Sequence, residues 1–279
     1  QSITSLEFQP DLIWLKNRSA TNNHAMVNSL VGRAKGLYPD SSSAEFNSST
    51  GRDVASFDIS GFTVGEPEQA SSTNNNGSNI VAWCWKAGGK SNTFNVDDVG
   101  YANASAAGIT DGSIALTGAS VNREAGFSMV LYTGTGSTGT VGHGFTKTPD
   151  LIITKSRSAT GDWSVLDRIG NSTAEYGFFL NDNGGYSSAS GYTYWNDTLP
   201  TSSVFTVRQA ASTNASGVTY IAFCWTSIPG YSKIGTYKGN GNADGKFVDC
   251  GFRPAWLVIK RVLGGSRNWI LFDTKRNID

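Results

Sequence analysis

The sequence predicts an all-β protein made of tandem antiparallel β-sandwich units of the jelly-roll or lectin-like type. Three observations lead to this prediction. The apolar runs are short and bounded by Gly, Asn, Ser or Pro, as in Leu12–Leu15, Ile80–Trp85 and Tyr220–Trp225. No run keeps helical spacing over a window of about 11 residues. The same segments also recur along the chain, which is the signature of repeated structural units.

Two segments recur with little change. "PDLIWLKNRSA" from Pro10 is matched by "PDLIITKSRSA" from Pro149, and the pattern begins again as "PAWLVIKRV" from Pro254. "NIVAWCWKAGG" from Asn79 is matched by "TYIAFCWTSIPG" from Thr219. Each is an apolar run that ends in polar or Gly-rich residues, which indicates a strand followed by a turn.

A third correspondence sets the boundaries of the units. "GFSMVLYTGTG" from Gly126 corresponds to "GYSKIGTYKGNG" from Gly230, and each indicates an opening hairpin that turns on Gly and Asn. The first unit has no such opening. The predicted divisions are a first β-sandwich unit lacking its opening hairpin (1–89), a linker or insertion (90–125), a complete second unit (126–229) and the first half of a third unit (230–279).

The cysteine-bearing strand is apolar on both faces. In "IVAWCW" from Ile80, Trp83 and Trp85 share one face and Cys84 lies on the other, because successive strand side chains point to opposite sides. A strand of this kind is expected to be central, with a bulky face in the core and a small face in close packing. We expect Trp83 and Phe223 to hold equivalent positions, each in the aromatic interior of its own unit.

The cysteines predict free thiols. Cys84 and Cys224 occupy the same position in different units, which places them too far apart to form a disulfide. Cys250 has no evident partner. The spacing of the three does not match a metal site, so each is expected to pack as a small apolar side chain.

Composition excludes several classes of partner. The chain has 279 residues, with 22 Lys and Arg against 22 Asp and Glu, and its formal net charge is zero. This balance gives no electrostatic basis for binding DNA, RNA or an anionic membrane. No segment approaches the ~20 apolar residues that cross a bilayer. We therefore expect no nucleic-acid partner, no membrane insertion and no cofactor.

No catalytic constellation is apparent. The only histidines are His24 and His143, and neither belongs to a recognisable catalytic motif, so both are interpreted as structural or surface residues. Asp167 and Asp273 are repeated acids that would suit a glycosidase pair. Because the first unit has Asn28 at this position, the site is interpreted as one that needs a turn-forming Asx side chain.

A weak calcium-loop pattern lies in the third unit. Asn240, Asn242 and Asp244, followed by Gly245, resemble the first half of such a loop. The twelfth position is Gly251 rather than the bidentate Glu that the pattern requires. Absence of a metal site is therefore the prediction, with these three residues as the alternative.

The candidate ligand-binding residues lie in one loop. "NDNGGYSSASGYTYWND" from Asn181 interleaves small polar residues with Tyr186, Tyr192, Tyr194 and Trp195. Aromatic faces among Ser, Gly and Asn suit adaptable recognition of glycans or proteins. The alternative is that Tyr194 and Trp195 belong to strand core, and this alternative is favoured for Trp195.

The repeated segments resemble a known family. "PDLIWLKNRSA", "VAWCWKAGG", "GFSMVLYTGTGS" and "GFRPAWLVIKR" are similar to a repeated domain of unknown function in virion structural proteins of marine tailed phages. That domain often occurs near lectin-like sandwich modules in fibre or appendage proteins. The resemblance covers nearly the whole chain and transfers no catalytic residue.

The resemblance implies a non-enzymatic protein of a phage fibre, spike or head decoration, located at the virion surface or extracellularly. Expected partners are other virion subunits, copies of the same chain, and host-surface glycans. Two alternatives remain open: a bacterial surface adhesin or lectin module, and a glycoside-active enzyme. A further possibility is that a neighbouring copy completes the first unit by strand addition.

Overall fold

The computed structural model describes residues 1–47, 52–66, 70–188 and 191–276. These residues form twenty strands and one π-helical turn (Gly191–Trp195), which confirms the all-β prediction. The strands are β1 (Ser2–Ile3), β2 (Leu12–Asn17), β3 (Ala25–Asn28), β4 (Lys35–Leu37), β5 (Phe46–Asn47), β6 (Val54–Asp58), β7 (Gly61–Val64), β8 (Ile80–Trp85), β9 (Phe94–Val96), β10 (Val99–Tyr101), β11 (Leu116–Asn122), β12 (Phe127–Thr133), β13 (Gly139–Gly142), β14 (Leu151–Ser156), β15 (Ser164–Asp167), β16 (Phe178–Phe179), β17 (Val204–Val207), β18 (Thr219–Trp225), β19 (Trp256–Ile259) and β20 (Ile270–Asp273).

The strands form two large sheets and three small ones. The eight-stranded sheet has the order β10-β9-β11-β12-β18-β14-β15-β16, and the five-stranded sheet has the order β5-β4-β3-β2-β8. The small sheets are β1-β7-β6, β13-β17 and β19-β20. Among the named strands, only β9 and β11 pair in parallel. The antiparallel character follows from the short, Gly-rich connections, which can join hairpins but not parallel neighbours.

The repeated segments also share their strand register. Leu12 of β2 lies opposite Trp85 of β8, and Leu151 of β14 lies opposite Trp225 of β18. On the other side of β2, Leu12 lies opposite Asn28, just as Leu151 lies opposite Asp167 of β15. The correspondences of sequence are thus correspondences of pairing. The division into tandem units remains a prediction.

Each cysteine-bearing strand turns its small face toward a small outer sheet. Cys224 of β18 packs with Val141 and Phe205 of the β13-β17 sheet. Cys84 of β8 packs against the cluster that contains Phe62 of β7. The sandwich layers therefore form on the side that the sequence marked by small residues.

The bulky faces of the two large sheets meet in one shared core. Met129 and Phe223 of the eight-stranded sheet, with Trp163 just before β15, pack in the same cluster as Leu12 and Met26 of the five-stranded sheet. The expectation of a separate aromatic interior in each unit is therefore wrong. A strand that is apolar on both faces must be packed against another layer on each side. For β8 and β18, the layer on the bulky side includes the other large sheet.

Trp83 and Phe223 match in register but differ in surroundings. Phe223 is 1% exposed inside the shared core, whereas Trp83 is 9% exposed. The Trp83 ring lies edge-on to Trp14 at 5.8 Å, and its indole N–H donates to Asp273 at 3.2 Å. Arg276 lies over the same ring at 5.1 Å. The C-terminal hairpin therefore occupies the space above Trp83.

The third segment forms one hairpin only. Trp256 of β19 packs edge-on to Trp85 at 5.4 Å, which holds β19-β20 against the first cysteine-bearing strand. The predicted opening hairpin of this segment is wrong, since residues 233–250 contain no strand. In the second segment the corresponding strand, β12, is held between β11 and β18. The β19-β20 sheet has no equivalent of β11 or β18 to hold such a strand.

Residues 90–125 contribute β9, β10 and β11 to the eight-stranded sheet. The chain enters this region through Gly88, where a Cβ atom would lie 2.6 Å from backbone atoms of Asn95 and Val121. Only glycine allows so close an approach. The stretch predicted as a linker or insertion thus widens the sheet of the second unit. The described residues include no helix long and apolar enough to cross a membrane.

Candidate recognition surface

The aromatic loop divides into buried and partly exposed residues. Trp195 is fully buried in the core beside β13-β17, edge-on to Phe205 at 6.4 Å, but it lies in the π-helical turn rather than in the strand that the favoured interpretation predicted. Its indole N–H finds no acceptor among the described residues. Tyr194 packs partly exposed against the same core, edge-on to Phe179 at 5.5 Å. The Tyr192 side chain lies outside the described part of the chain.

Tyr186 belongs to a stacked aromatic pair. Its ring lies 5.5 Å from that of Tyr176 with an interplanar angle of 21°, and the edge of Phe178 closes the cluster at 5.6 Å. The Tyr186 hydroxyl donates to Asp167 at 2.9 Å. Burial, together with the Asp167 charge, raises the pKa of this hydroxyl above its usual range, so it remains a donor. The pair offers a rigid apolar plate with a polar edge.

Tyr176 was not among the residues that the sequence singled out. It is 37% exposed and supplies the open face of the stacked pair. Nothing in "AEYGFF" marks it, because its approach to Tyr186 depends on how the chain turns after β16. The sequence therefore pointed to the loop but not to the pair.

The stacked pair lies at the junction between the second unit and the C-terminal hairpin. The Tyr186 N–H donates to the carbonyl of Val262 at 2.8 Å. At Gly185, a Cβ atom would lie 2.4 Å from that carbonyl oxygen, so the contact requires glycine. Trp269 stacks on Phe178 at 5.6 Å from below. The surface is therefore fixed by two parts of the chain.

A Lys and a Trp fasten the segment around β14 and β15 to the turn between β4 and β5. Trp163 donates its indole N–H to the carbonyl oxygens of Tyr38 and Ser41, at 3.0 and 3.1 Å. Lys155 donates to the carbonyl oxygens of Ser42 and Gly161, at 3.1 and 2.9 Å. Burial lowers the pKa of Lys155 to about 8. We call Lys155 and Trp163 the second-unit clasp.

The C-terminal hairpin carries the same device. Trp269 donates to the carbonyl of Phe179 at 3.2 Å, and Lys260 donates to that of Asn183 at 2.8 Å. Sequence reasoning missed both clasps. The available signal was the Lys that follows each "PDLI"-like strand, together with the Trp shared by "DWSVLD" and "NWILFD".

The repeated Asx position is a turn cap, as predicted. Asn28 accepts the N–H of Val31 at 2.9 Å through its side-chain oxygen. Asp167 accepts the N–H of Ile169 at 2.9 Å, and Asp273 does the same for the turn after β20. These oxygens satisfy backbone donors that a tight turn would leave open.

A second acid, Asp11, holds the chain where it leaves β8. Its buried carboxylate accepts the Ser29 hydroxyl at 2.6 Å and the N–H groups of Ala87 and Gly89 at 2.8 and 3.2 Å. Burial raises its pKa, and these hydrogen bonds oppose the rise. Asp150 repeats the arrangement by accepting the N–H of Ser227 after β18.

We expect Asp11→Asn to lower the free energy of unfolding by about 2 kcal/mol, because a neutral amide loses the charge-assisted hydrogen bonds from the buried N–H groups of Ala87 and Gly89. Urea denaturation at neutral pH measures the loss. The control is Asp98→Asn, whose side chain is 57% exposed in its ion pair with Lys86, and we expect a loss below about 0.5 kcal/mol there. Equal losses in the two variants would contradict the assignment.

Both histidines lie in structural hydrogen bonds. His24 Nδ1 accepts the indole N–H of Trp14 at 2.9 Å, and its pKa falls to about 4 through burial and the nearby Lys16 charge. His143 is fully buried and accepts the N–H of Phe145 through Nδ1 at 3.2 Å. The other ring nitrogen of His143, Nε2, lies 3.3 Å from the carbonyl oxygen of Thr201.

The calcium-loop residues use their oxygens within the loop. Asn240 accepts the N–H of Asn242 at 3.1 Å, and Asn242 accepts that of Asp244 at 3.2 Å. Within the described ranges, no group of three or more His, Cys, Asp or Glu is placed to hold a metal. Cys84, Cys224 and Cys250 are free thiols, and burial raises the pKa of Cys84 to about 12.

Two shallow depressions also lie on the described surface. One, of about 350 Å³, is lined by Lys35, Glu45 and Arg157, where Arg157 Nε lies 2.7 Å from Glu45 across the junction of the two large sheets. The other, of about 370 Å³, lies beside Asp11 and Lys86. The charges in the first are already paired with one another.

The fold and the surface together define a layered all-β protein whose candidate site is an aromatic plate. Over residues 1–279 the chain matches the family described as Domain of unknown function (DUF7483), and it belongs to that family. No curated protein and no solved structure matches it significantly.

Proposed function

We propose that this protein is a non-enzymatic structural and recognition component of a virion, part of a fibre, spike or head decoration. The observation that carries the proposal is the interlocking of successive segments, in which each clasp fastens a Lys and a Trp to carbonyl groups of the preceding segment. The buried pair Lys155 and Trp163 and a shared core give a stiff body, which suits a load-bearing appendage. The sequence resemblance to phage virion proteins and the zero net charge support the same assignment.

Immunogold electron microscopy of particles from the source tests the location. Antibody against the purified chain is expected to label intact particles at a fixed position, at the head or along the tail. Label confined to the soluble fraction, with particles free of the chain by mass spectrometry, would overturn the proposal.

A second candidate function, glycan recognition by a lectin-type surface, is favoured by the stacked pair. Tyr176 and Tyr186 present a fixed aromatic face beside Asp167, and sugars bind such faces through their apolar C–H side while a carboxylate accepts their hydroxyls. In a phage appendage, this surface would contact host glycans. In a bacterial adhesin, it would serve the same chemistry.

A glycan array tests this candidate, run with calcium and again with chelator. We expect bound glycans to lose affinity at least tenfold, about 1.4 kcal/mol, in Tyr176→Ala, because half of the plate is removed. The matched control is Phe247→Ala, since Phe247 is 86% exposed and lies outside the plate. If no glycan binds in either buffer, this candidate function is overturned.

A further inference from the structure

The strand β8 has an open edge, whereas its counterpart β18 has none. β18 lies between β12 and β14, while β8 pairs with β2 and ends the five-stranded sheet among the described strands. Only Trp83 of the six β8 residues is buried, against five of the seven residues of β18. An unpaired edge presents a row of N–H and C=O groups that can template another strand.

The segment that would fill this edge is present in the chain but forms no strand. Residues 230–237 correspond in sequence to β12 and its preceding glycine. Gly126 and Gly230 both hold positive φ angles, of 65° and 76°. Tyr231 and Tyr237 are 62% and 49% exposed. Among the described residues the segment joins no strand, and its backbone contacts include a bridge from Ser232 to Ile228 and a hydrogen bond from the Ile234 N–H to the Ser227 hydroxyl at 3.0 Å.

We propose that the segment Tyr231–Tyr237 of a second copy of this chain adds to β8 as an antiparallel strand. The pairing of β12 with β18 supplies the register, in which Phe127 lies opposite Trp225 and Ser128 opposite Cys224. Transferred to the open edge, Tyr231 lies opposite Trp85 and Ser232 opposite Cys84.

The transferred register agrees with the chemistry of the small face. Ile234, the counterpart of the buried Val130, falls opposite Ala82 on the small face that also carries Cys84, where an apolar side chain is required. Lys233 falls on the opposite face near Trp83, where Arg276 already lies over the ring and pairs with Asp273, so its side chain has to extend past this ion pair toward solvent. The added strand also covers the partly exposed Cys84.

Donor segment and acceptor edge are different surfaces, so the contact is heterologous. Each copy can give one strand and receive one, which generates a head-to-tail filament or a closed ring. The main-chain hydrogen bonds supply the affinity, as in other strand-addition complexes. The proposal goes beyond the virion assignment and would stand if that assignment failed.

Disulfide trapping tests the register. In a Cys250→Ser background, Ser232→Cys is expected to yield reducible dimers and higher oligomers on a non-reducing gel, because directly opposed residues lie within disulfide range. Adding Cys84→Ser should abolish them. The matched control is Lys233→Cys, whose side chain points to the other face and should not couple to Cys84.

Two solution measurements accompany the trapping. Light scattering of the unmodified chain should show mass rising with concentration, and Cys84 alkylation should slow several-fold over the same range while Cys250 alkylation stays constant. Gly235→Pro/Thr236→Pro should remove both effects, because one of two adjacent prolines must lose a ladder N–H. Gly235 has open space around it, so its own copy should tolerate the change.

Three outcomes would overturn the proposal. The chain could stay monomeric at all concentrations, the Ser232→Cys product could be an internal disulfide of monomeric mass, or oligomers could form that neither trap through Cys84 nor respond to the prolines. Any of these would leave the virion assignment untouched.

Discussion

Trp163→Ala is expected to lower the free energy of unfolding by about 3–5 kcal/mol, the range for deleting a fully buried tryptophan. Trp163 is 0% exposed, its ring stacks on Phe223 at 6.1 Å, and its N–H bonds two carbonyl groups of the five-stranded sheet region. The substitution therefore leaves a cavity in the shared core and two buried acceptors without their donor. Chemical denaturation followed by circular dichroism measures the loss.

Trp163→Phe separates the contribution of the ring volume from that of the indole hydrogen bonds. It retains most of the ring volume but removes the N–H, so we expect a loss of about 1–3 kcal/mol. Because the core is shared, both variants should unfold in one transition that includes the five-stranded sheet. If the five-stranded sheet kept its wild-type denaturation midpoint while the eight-stranded sheet unfolded at lower denaturant, the core would not be shared.

Acidification from pH 7 to pH 4 is expected to cost the wild-type protein about 3 kcal/mol more than a His143→Asn variant. Burial lowers the pKa of His143 to about 4, below the 6.5 of an unfolded chain. Between these values the unfolded state binds a proton that the folded state does not. The stability that neutral His143 contributes is therefore fully present above pH 6.5 and is lost as the pH falls toward 4.

The geometry explains why the folded protein disfavours protonation of His143. Nδ1 accepts the N–H of Phe145, so a proton placed on Nδ1 would face another donor in an apolar core. Asparagine keeps an acceptor at this position without titrating. The difference between the two pH profiles isolates His143, because His24 and the buried carboxyl groups titrate in both proteins. Parallel profiles would contradict the assignment.

The strands were predictable because their signals are local. Alternation in Ile80–Trp85, flanking glycines and the recurrence of the Pro-Asp-Leu-Ile pattern identify strands and even their register. The same signals do not say what covers a face. Since β8 and β18 are apolar on both sides, their sequence requires a cover on each face but does not identify the element that provides it, and the shared core emerged only from the structure.

The candidate site was predictable only in part. Tyr186 and Trp195 stood out by composition, but the plate formed by Tyr186 and Tyr176 depends on how two loops turn. The clasp residues Lys155 and Trp163 bond main-chain carbonyl groups, which carry no sequence code. The stretch from Gly230 has the local pattern of a hairpin, yet a strand needs neighbours, and the β19-β20 sheet provides none beside it.

The shared core limits how this protein can be cut or recombined. An excised second unit would expose the face that bears Phe127, Met129 and Phe223 to water, and would be expected to aggregate. A gene rearrangement that exchanged one unit for a distant homologue would have to preserve the shape of the facing sheet as well. Although the repeated segments follow one another along the sequence, we expect them to be exchanged and inherited together, because their sheets share one core.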